Sequence, residues 1–536
     1  MKIRRLFVPE YKNVKVDVTF NADMITLLVG QNGVGKSNLL EILLLIFDEL
    51  YQLKGKRKKA AKTSLHYELE YECKGRNFAV TKITDKYNFS EYTIKADGTK
   101  ERLGTVDIRD IELPSQIVGY YSGENKRIRK LVEKHIQSEE RSKRIKYARG
   151  NENGYSPRKL FFAENRHSML VLAALLLYKG HPLYGENIKK VLHDIVQVDC
   201  WDRIYLKFRN PRLTKTAKLR KEGLTLEYYR DLLLQGEYLE DTPIFWGVRG
   251  IVDKFLRLLL YYFIDNNRSY GIMPDKQGTR EYFEIDNIPS EDNFKDLLYD
   301  RLPTPMEFLN ALEECFVLNM VEEFDIDLHK KGEQEPYPYL YLSEGEQQYL
   351  TVMGLIALAH SRQDETLFLL DEPDTHINPQ WQRSYIKHIL DLSRTKAEKK
   401  SKAFFISTHS PFLVQANSHG NPDVDVLLFK RDEKGQVQID TEDDEVFNNW
   451  RIDQVLMSKY FDLPSSRPAS LDDFMERRKA VIEGDMKNES RNSLTRDLDK
   501  FGYLPTGETI AEVEAMMFIH NLAEELRKKG GTDEIH

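Results

Sequence analysis

Cysteine is scarce in this sequence, and long apolar runs are missing. The 536 residues include three cysteines, Cys73, Cys200 and Cys315, whose separations match neither paired cysteines nor the spacing of zinc ligands. The longest apolar stretch, residues 169–178, is about half of a membrane-spanning helix. The apolar run near the N-terminus is too short for a signal peptide. We therefore expect a cytoplasmic protein without a disulfide framework, a zinc site or a membrane anchor.

An excess of basic residues is also missing. Lys and Arg together number 79 against 86 Asp and Glu, which gives a net charge of -7, so the overall composition does not indicate nucleic-acid binding. Contact with nucleic acid would have to come from local basic runs at residues 54–62, 126–149 and 212–221. Solvated helix ends are the commoner reason for such runs. Binding of DNA or RNA stays an open alternative.

The length and composition predict a folded protein with more than one module. Its 41% hydrophobic and 31% charged residues are typical of globular proteins, and 536 residues exceed the size at which one core usually divides. We predict an N-terminal lobe at residues 1–124, a mostly helical insertion at 125–331 and a C-terminal lobe at 332–448. A helical tail is predicted at 449–536, ending in a helix at 509–529.

The two lobes show the mixed strand and helix pattern of an α/β fold. In the N-terminal lobe, strands are predicted at residues 2–8, 14–20 and 24–29, a helix at 37–53, and an antiparallel layer from the alternating stretches 65–71 and 78–83. In the C-terminal lobe, helices are predicted at 345–360 and 379–393, and strands at 366–370 and 403–407.

A glycine-rich loop stands between the third strand and its helix. Residues 30–37, GQNGVGKS, fit the pattern GxxxxGK[ST], which binds phosphate in this strand-to-helix setting. Glycines let backbone amides curl around a β-phosphate, Lys36 neutralises β- and γ-phosphate charge, and the Ser37 hydroxyl can ligate Mg²⁺. The predicted ATP-binding residues of this loop are Asn32, Gly33, Gly35, Lys36 and Ser37.

Two later strands end in side chains suited to phosphate chemistry. Asp371 and Glu372 close the apolar strand ETLFLLDE, and parallel sheets present ligand-binding groups at the carboxyl ends of their strands. Asp371 would help to hold Mg²⁺, and Glu372 would activate the attacking water. The next strand leads into His409, which places an imidazole near the γ-phosphate. We predict Glu372 and His409 as catalytic residues.

A fourth motif completes the set. Residues 342–348, LSEGEQQ, precede a helix, and Ser343 alone would be an ordinary N-cap residue. Together with GQNGVGKS, LFLLDEPDTHINP and ISTHSP, the motif resembles in order and spacing those of ABC-type ATPases of the SMC, RecF and OLD-like branch. The resemblance covers residues 1–123 and 337–429. It implies an ABC-type ATPase head, split by the insertion, that takes ATP and Mg²⁺.

The resemblance implies a role for the LSEGEQQ motif, which matches the ABC signature. Ser343 and Gly345 would contact the γ-phosphate of ATP held by a second protomer, and Glu346 is also predicted as an ATP-binding residue. The resemblance therefore implies a homodimer or a higher homo-oligomer with ATP between the heads. Glu344 and Glu346 replace residues of the transporter pattern, as does Asn378, and these departures favour the DNA-linked branch.

Four further positions receive roles from the same resemblance. Glu372 matches the catalytic base and His409 the switch histidine, and residues 374–378 match the dimer-facing D-loop. Gln116 is the candidate for the Q-loop glutamine, which would make it a metal ligand.

Within that branch, three stretches resemble the PtuA ATPases of Septu and retron anti-phage systems. They are residues 120–124, 161–177 and 450–456. In such systems the ATPase is a sensor and scaffold that controls a separately encoded HNH nuclease of the PtuB type, sometimes with a reverse transcriptase and its DNA product. The resemblance thus implies an ATP-hydrolysing regulatory subunit of a defence complex.

Two other functions compete with this interpretation. OLD-like relatives are autonomous nucleases, and the tail contains Glu483, Asp485, Asp497 and Asp499, but a charged helix and loop explain these carboxylates better. The second alternative is an ATPase of DNA repair or chromosome maintenance. Such proteins carry long heptad repeats between the P-loop and the signature, whereas the insertion lacks sustained heptads. A transporter ATPase would need the transporter signature.

Overall fold

The apolar and alternating runs of the N-terminal lobe fold as strands in the computed structural model. Strands β1 to β8 are Lys2–Tyr11, Val14–Thr19, Ile25–Gly30, Tyr67–Cys73, Arg76–Ile83, Lys86–Ile94, Lys100–Thr105 and Gln116–Tyr121, and helix α1 is Lys36–Lys54. Every residue of β3 is buried, as expected for a continuous apolar run inside a parallel sheet. The predicted strands and helix of this lobe are present, within a few residues of the predicted bounds.

The structure describes most of the chain, in two units that span Met1–Asn448 and Asn449–His536. The described residues are 1–55, 64–95, 97–122, 127–148, 158–211, 224–235, 242, 244–274, 281–330, 332, 335–359, 365–393, 401–415, 422–431, 437–440, 450–461, 463, 469–474 and 477. The basic run 212–221, most of the run 54–62, the terminal helix 509–529 and the carboxylates Glu483, Asp485, Asp497 and Asp499 lie outside them.

The segment between the lobes contains helices and strands. Helices α2 to α8 are Arg127–Ala148, Asn165–Tyr178, Gly185–Lys189, Leu226–Leu234, Ile251–Asp265, Asp292–Arg301 and Pro305–Val317, with a π-helix at Lys190–Val196. Strands β9 to β13 are Leu160–Ala163, Val198–Arg209, Gly271–Pro274, Glu281–Ile285 and Val321–Lys330. With β14, Tyr337–Pro338, strands β10 to β13 form a five-stranded antiparallel sheet in the order β11-β12-β10-β13-β14.

This second sheet is a feature that the sequence analysis does not predict. The sequence pattern that indicates this sheet is an alternation of apolar residues along its two long strands, and these residues are buried in the structure. They are Ile204, Leu206 and Phe208 in β10, and Phe324, Ile326 and Leu328 in β13. Three register shifts interrupt the pairing of these strands. Bulges of this kind break the strict period of two, which makes such strands harder to identify from the pattern of residues alone.

In the C-terminal lobe, helices and strands alternate along the chain. Helices α9 to α11 are Glu344–Leu358, Pro379–Ser393 and Pro411–Gln415, after a short 3₁₀ helix at Tyr339–Tyr341. Strands β15 to β18 are Thr366–Asp371, Lys402–Ser407, Val424–Arg431 and Val437–Asp440. Both predicted helices and both predicted strands of this lobe are confirmed.

One mixed sheet of thirteen strands joins the two lobes. Its order is β7-β6-β5-β4-β1-β2-β18-β17-β3-β16-β15-β8-β9, and the run from β17 to β9 is parallel. The apolar face of α1 is buried in the core of this sheet. The predicted α/β class with a mixed sheet and a P-loop is therefore confirmed. Because β3, β16, β15 and β8 run in parallel, their carboxyl ends meet at one edge, where the predicted phosphate-binding groups lie.

The second unit is described over a smaller part of its length. It contains helix α12, Ile452–Leu456, and a 3₁₀ turn at Ala469–Leu471. Across the described residues of both units, no helix has the length and apolar character that crossing a bilayer requires.

Candidate active site

The glycine-rich loop leaves β3 and turns directly into α1. Gly33 and Gly35 adopt φ angles of 75° and 103°, in the left-handed region that favours glycine. A Cβ atom at Gly35 would lie 2.4 Å from the Val14 side chain, so this position needs glycine for a second reason. The Arg431 guanidinium donates a hydrogen bond of 2.9 Å to the Gly33 carbonyl. The loop therefore presents the N-terminus of a 19-residue helix, a natural site for an anion.

Lys36 is held in this loop by backbone carbonyls and by a histidine from another strand. Its Nζ donates to the carbonyl oxygens of Gly30 at 2.9 Å and Gln31 at 3.2 Å, and lies 2.7 Å from His409 Nε2. Burial lowers the pKa of Lys36 to about 8, although the neighbouring Glu372 acts in the opposite direction.

Asp371 is the most buried acid of the site, with 1% of its surface exposed. Its Oδ1 accepts a hydrogen bond of 2.9 Å from the Ser37 hydroxyl and another from the Ser407 hydroxyl. Burial raises the pKa of Asp371, and the two hydroxyl donors oppose that shift. Ser37 and Asp371 are thus in contact, as expected for residues that share one cation.

Glu372 has an unusual backbone and a partly exposed carboxylate. Its φ of 49° places a non-glycine residue in the left-handed region, a conformation that costs about 1 to 3 kcal/mol and occurs at functional sites. Its backbone N–H donates to the carbonyl oxygen and the hydroxyl of Ser407, at 3.1 Å and 3.0 Å. Glu372 Oε1 lies 3.5 Å from His409 Nε2. The imidazole lowers the pKa of this carboxyl, so Glu372 is ionised near neutral pH.

These groups line one polar cleft of about 500 Å³. Its walls are formed by Lys12, Asn13, Asn32, Gly33, Gly35, Lys36, Ser37, Asn38, Tyr121, Asp371, Glu372 and His409. The predicted loop residues, the acid pair and the histidine are therefore brought together, although they come from both ends of the sequence. A cleft with amides and a lysine on one side and carboxylates on the other can hold a polyphosphate and orient a water molecule beside it.

The D-loop, residues 374–378, is tied to the strand that carries His409. Asp374 Oδ2 accepts a hydrogen bond of 2.9 Å from the Thr408 hydroxyl, and the Asp374 carbonyl accepts one of 3.0 Å from Gln382 Nε2. Burial raises the pKa of Asp374 to about 6. Movement of the D-loop is thereby coupled to the residue next to the histidine.

The signature residues form the first turn of α9, outside the cleft. Ser343 is the N-cap of this helix and forms a capping box with Glu346. A Cβ atom at Gly345 would lie 2.3 Å from the His376 carbonyl oxygen, so glycine lets the D-loop backbone pass close to the helix. Within the described part of one chain, Ser343, Gly345 and Glu346 are not among the residues that line the cleft of Lys36.

The assignment of Gln116 as a metal ligand is wrong. Gln116 begins β8 and pairs with Thr366 at the start of β15, whereas Asp371 pairs with Tyr121 at the other end. Five residues of strand separate the two levels by about 17 Å. The Gln116 amide instead donates a hydrogen bond of 3.1 Å to the Arg158 carbonyl. A position early in a strand cannot reach ligands at the carboxyl edge of the sheet.

Five residues of the site were not found by sequence reasoning: Lys12, Asn13, Asn38 and Tyr121, which line the cleft, and Ser407, which contacts Asp371. Tyr121 ends β8 beside Asp371, Ser407 ends β16 beside it on the other side, and Lys12 lies in the turn between β1 and β2. For Tyr121 and Ser407 the available signal is their place at the end of an apolar run, the same signal that identifies Asp371. No sequence pattern identifies Lys12 as a residue of the site.

Two protein-family models match parts of the chain. A model described as "AAA ATPase domain" matches residues 1–167, and one described as "AAA domain, putative AbiEii toxin, Type IV TA system" matches residues 250–415. Among curated proteins, none has a sequence that matches this chain. Both matches extend into the segment between the two lobes.

Two SMC heads are among the solved structures to which this chain is similar. The SMC head domain from Thermotoga maritima is 12% identical, with a TM-score of 0.31, and the match covers 83% of this chain and 100% of that one. An SMC head bound to the C-terminal winged-helix domain of ScpA has the same identity and TM-score, with coverage of 83% and 98%. Similarity at this level has no bearing on function.

Proposed function

We propose that this protein binds and hydrolyses ATP in the cleft between the glycine-rich loop and the ends of β15 and β16. The observation that supports this proposal is the convergence of Lys36, Ser37, Asp371, Glu372 and His409 on one cleft. Loop amides and Lys36 bind the phosphates, and the ionised Glu372 carboxylate orients and deprotonates the attacking water. His409 contacts the γ-phosphate.

The residues of the cleft fit Mg²⁺ as the cofactor. Ser37 and Asp371 supply two adjacent oxygen ligands, and Mg²⁺ commonly takes its other ligands from phosphates and water. Across the described residues, no group of three or more His, Cys, Asp or Glu is arranged to hold a metal alone. When bound, Mg²⁺ would supply positive charge to the β- and γ-phosphate oxygens.

Binding of nucleotide would change the hydrogen bonds that Lys36 and His409 make in the cleft. In the structure the Lys36 ammonium is directed to two loop carbonyls and to the imidazole. An arriving phosphate offers this ammonium a charged acceptor, which frees His409 Nε2 for another partner. Because Glu372 lies 3.5 Å from the same nitrogen, the orientation of the imidazole affects the catalytic carboxylate directly.

Substitution of the two central residues tests this assignment. Glu372→Gln removes the base but keeps the size of the side chain, so ATP binding should persist while hydrolysis falls by about 10² to 10⁴. Lys36→Ala should abolish ATP binding, since the buried counter-charge for the phosphates is lost. The measurements are fluorescent-nucleotide titration and phosphate release. Glu101→Gln, on the exposed strand β7, is the matched control. Hydrolysis by Glu372→Gln at the parental rate would exclude Glu372 as the base.

We further propose that two heads enclose ATP and that this dimer regulates a separately encoded nuclease. The signature motif lies outside the cleft of its own chain, so a second protomer is needed to bring Ser343 to the phosphates. The motif resemblance supports a defence ATPase of the PtuA type, with an HNH nuclease as partner.

The competing role is an ATPase of DNA repair or chromosome maintenance. Among the described residues, the longest helix is α2, with 22 residues, and the segment between the lobes contains a compact sheet. This architecture favours the role of a regulatory ATPase and disfavours that of a DNA-organising ATPase with a long coiled coil. Purification from the native locus, with mass spectrometry of stoichiometric partners, distinguishes the two. We expect an HNH nuclease, with or without a reverse transcriptase, and repair factors in its place would refute the defence role.

The proposal excludes an autonomous nuclease. Purified protein should not cleave DNA with divalent metal, because the tail carboxylates are assigned to a charged helix and loop. Cleavage that is lost in Glu483→Ala would contradict this expectation, and Glu483→Gln would then separate loss of charge from loss of fold.

A further inference from the structure

The first turn of α9 is closed by a reciprocal set of hydrogen bonds. Glu346 Oε2 accepts from the Ser343 backbone N–H at 2.8 Å and from the Ser343 hydroxyl at 2.9 Å. The Glu346 N–H donates in return to the Ser343 hydroxyl oxygen at 3.2 Å. One carboxylate oxygen of Glu346 is therefore fully engaged with the signature serine.

The other oxygen of Glu346 contacts a residue of the second sheet. Lys330, the last residue of β13, places its Nζ 3.1 Å from Glu346 Oε1 and 4.1 Å from the centre of the Tyr337 ring. Only 16% of the Lys330 side chain and 22% of the Glu346 side chain are exposed. A half-buried, hydrogen-bonded ion pair of this kind depends on its geometry more than an exposed pair does.

The charge of this turn matters for the proposed reaction. Glu344 and Glu346 both lie in the first turn of α9, where the helix dipole favours negative charge. Burial alone would raise the pKa of Glu346, but hydrogen bonds from Ser343 and Lys330 outweigh it and keep the carboxyl ionised. Two carboxylates beside the signature would repel a triphosphate unless a cation compensates one of them.

We propose that Lys330 is a positioning residue for ATP-dependent dimerisation. It neutralises Glu346 and holds its carboxylate, so that the triphosphate on the opposite protomer can approach Ser343. The inference rests on the proposed ATP-sandwiched dimer and assigns it a residue from the inserted segment. Lys330 acts through Glu346 and does not itself reach the nucleotide of its own chain.

Lys330 also links the insertion to the active site. β13 pairs with β10 along most of its length, so the position of Lys330 is set by the second sheet. A short path of side chains therefore runs from β13 through Glu346 to the signature serine. Displacement of β13 would separate the ion pair and leave the Glu346 charge facing the phosphates of the partner protomer.

The test uses the full chain in the Glu372→Gln background, where ATP should hold the dimer closed. Sedimentation velocity with Mg²⁺ and ATP gives the dimer dissociation constant. Lys330→Ala should weaken the dimer about tenfold, as expected for loss of one charge-assisted contact. Lys330→Arg should retain most of the affinity. Lys207→Ala, which removes an exposed ion pair from β10 of the same sheet, is the control and should change nothing.

A second substitution separates charge from structure. Glu346→Gln keeps the capping box, because glutamine can take the same place at this position, but it removes the charge that Lys330 compensates. Lys330→Ala with Glu346→Gln should therefore recover the dimer. Equal dimerisation by Lys330→Ala and its parent, or no recovery in the double variant, would overturn the inference. Failure of the Glu372→Gln parent to dimerise with ATP would instead refute the proposed dimer itself.

Discussion

The Ser407 hydroxyl connects the two acids of the site. It donates to Asp371 and accepts from the Glu372 backbone N–H, so one side chain contacts both the buried acid and the positive-φ residue. Sequence reasoning identifies Asp371 and Glu372 because they end an apolar strand. It misses Ser407 because the contact depends on the parallel register that places Asp371 opposite Ser407.

Asp374, a buried acid of the D-loop, makes the stability of the protein depend on pH. Its folded pKa of about 6 lies above the ordinary value of about 4, so the folded protein binds this proton more tightly than the unfolded chain does. Stability is therefore lost as pH rises from 4 to 6, by about 2 to 3 kcal/mol at most. Asp374→Asn keeps an oxygen for Thr408 and has no such titration. Its melting temperature relative to the parent should increase between pH 4 and pH 7.

The matched control for this pH series is Asp325→Asn, which changes an exposed aspartate of β13. A constant difference between Asp374→Asn and the parent across the pH range would show that burial of Asp374 does not raise its pKa.

The local patterns predict residues at the ends of strands far better than residues within them. The structure brings Lys36, Asp371 and His409 to one cleft, because the loop and the strand ends that carry them meet at the same edge of the sheet. Gln116 is predicted from the family resemblance alone, and the structure places it at the start of β8. Only the pairing of β8 with β15 decides which end of the sheet it occupies.

At the level of elements, helices α3 and α9 pack through a small residue. A Cβ atom at Gly354 of α9 would lie 2.3 Å from Val171 Cγ1 and 3.2 Å from Leu175 Cδ1 of α3. Gly354→Ala should therefore overpack this contact and cost about 1 to 3 kcal/mol, seen as a lower melting temperature. Val171→Ala makes room for the new methyl group.

The double variant Gly354→Ala with Val171→Ala should lose less stability than the sum of the two single changes, because one methyl group replaces another. Gly104→Ala on β7 has no atom within 4 Å of the added group and should be neutral. Additive losses in the double variant would mean that the helices do not meet at Gly354.

More of the thirteen-stranded sheet than of the five-stranded sheet can be predicted from the sequence. Seven of its thirteen strands are predicted from continuous apolar or alternating runs, and their bounds hold to within a few residues. The long strands β10 and β13 carry charged side chains on their exposed positions and bulges in their pairing, so the apolar signal is diluted. The ion pair between Lys330 and Glu346 follows from that sheet and could not be predicted without it.

At the scale of the whole molecule, the separation of cleft and signature predicts complementation between inactive variants. Lys36→Ala lacks a working cleft, and Ser343→Arg lacks a working signature. In a mixed dimer, the cleft of one protomer meets the signature of the other, and one intact site returns. An equimolar mixture should regain about a quarter of parental ATPase activity, since half of the dimers are mixed and each has one of two sites.

Phosphate release by the mixture, against each variant alone, is the measurement. A mixture as inactive as its components, after time for subunits to exchange, would contradict a shared site. Mixing Lys36→Ala with Glu372→Gln is the control, because both changes affect the cleft of their own chain and each mixed dimer then has no intact site.

The order of strands in the head also has a consequence for synthesis of the chain. β3, which leads into the glycine-rich loop, lies between β16 and β17, and β8 lies between β15 and β9. A ribosome therefore releases the loop long before it makes the neighbours of β3, with a delay of tens of seconds at about 5 to 20 residues per second. During that interval the backbone N–H and C=O groups at both edges of the apolar strand β3 lack these partners. We therefore expect the nascent N-terminal lobe to bind chaperones.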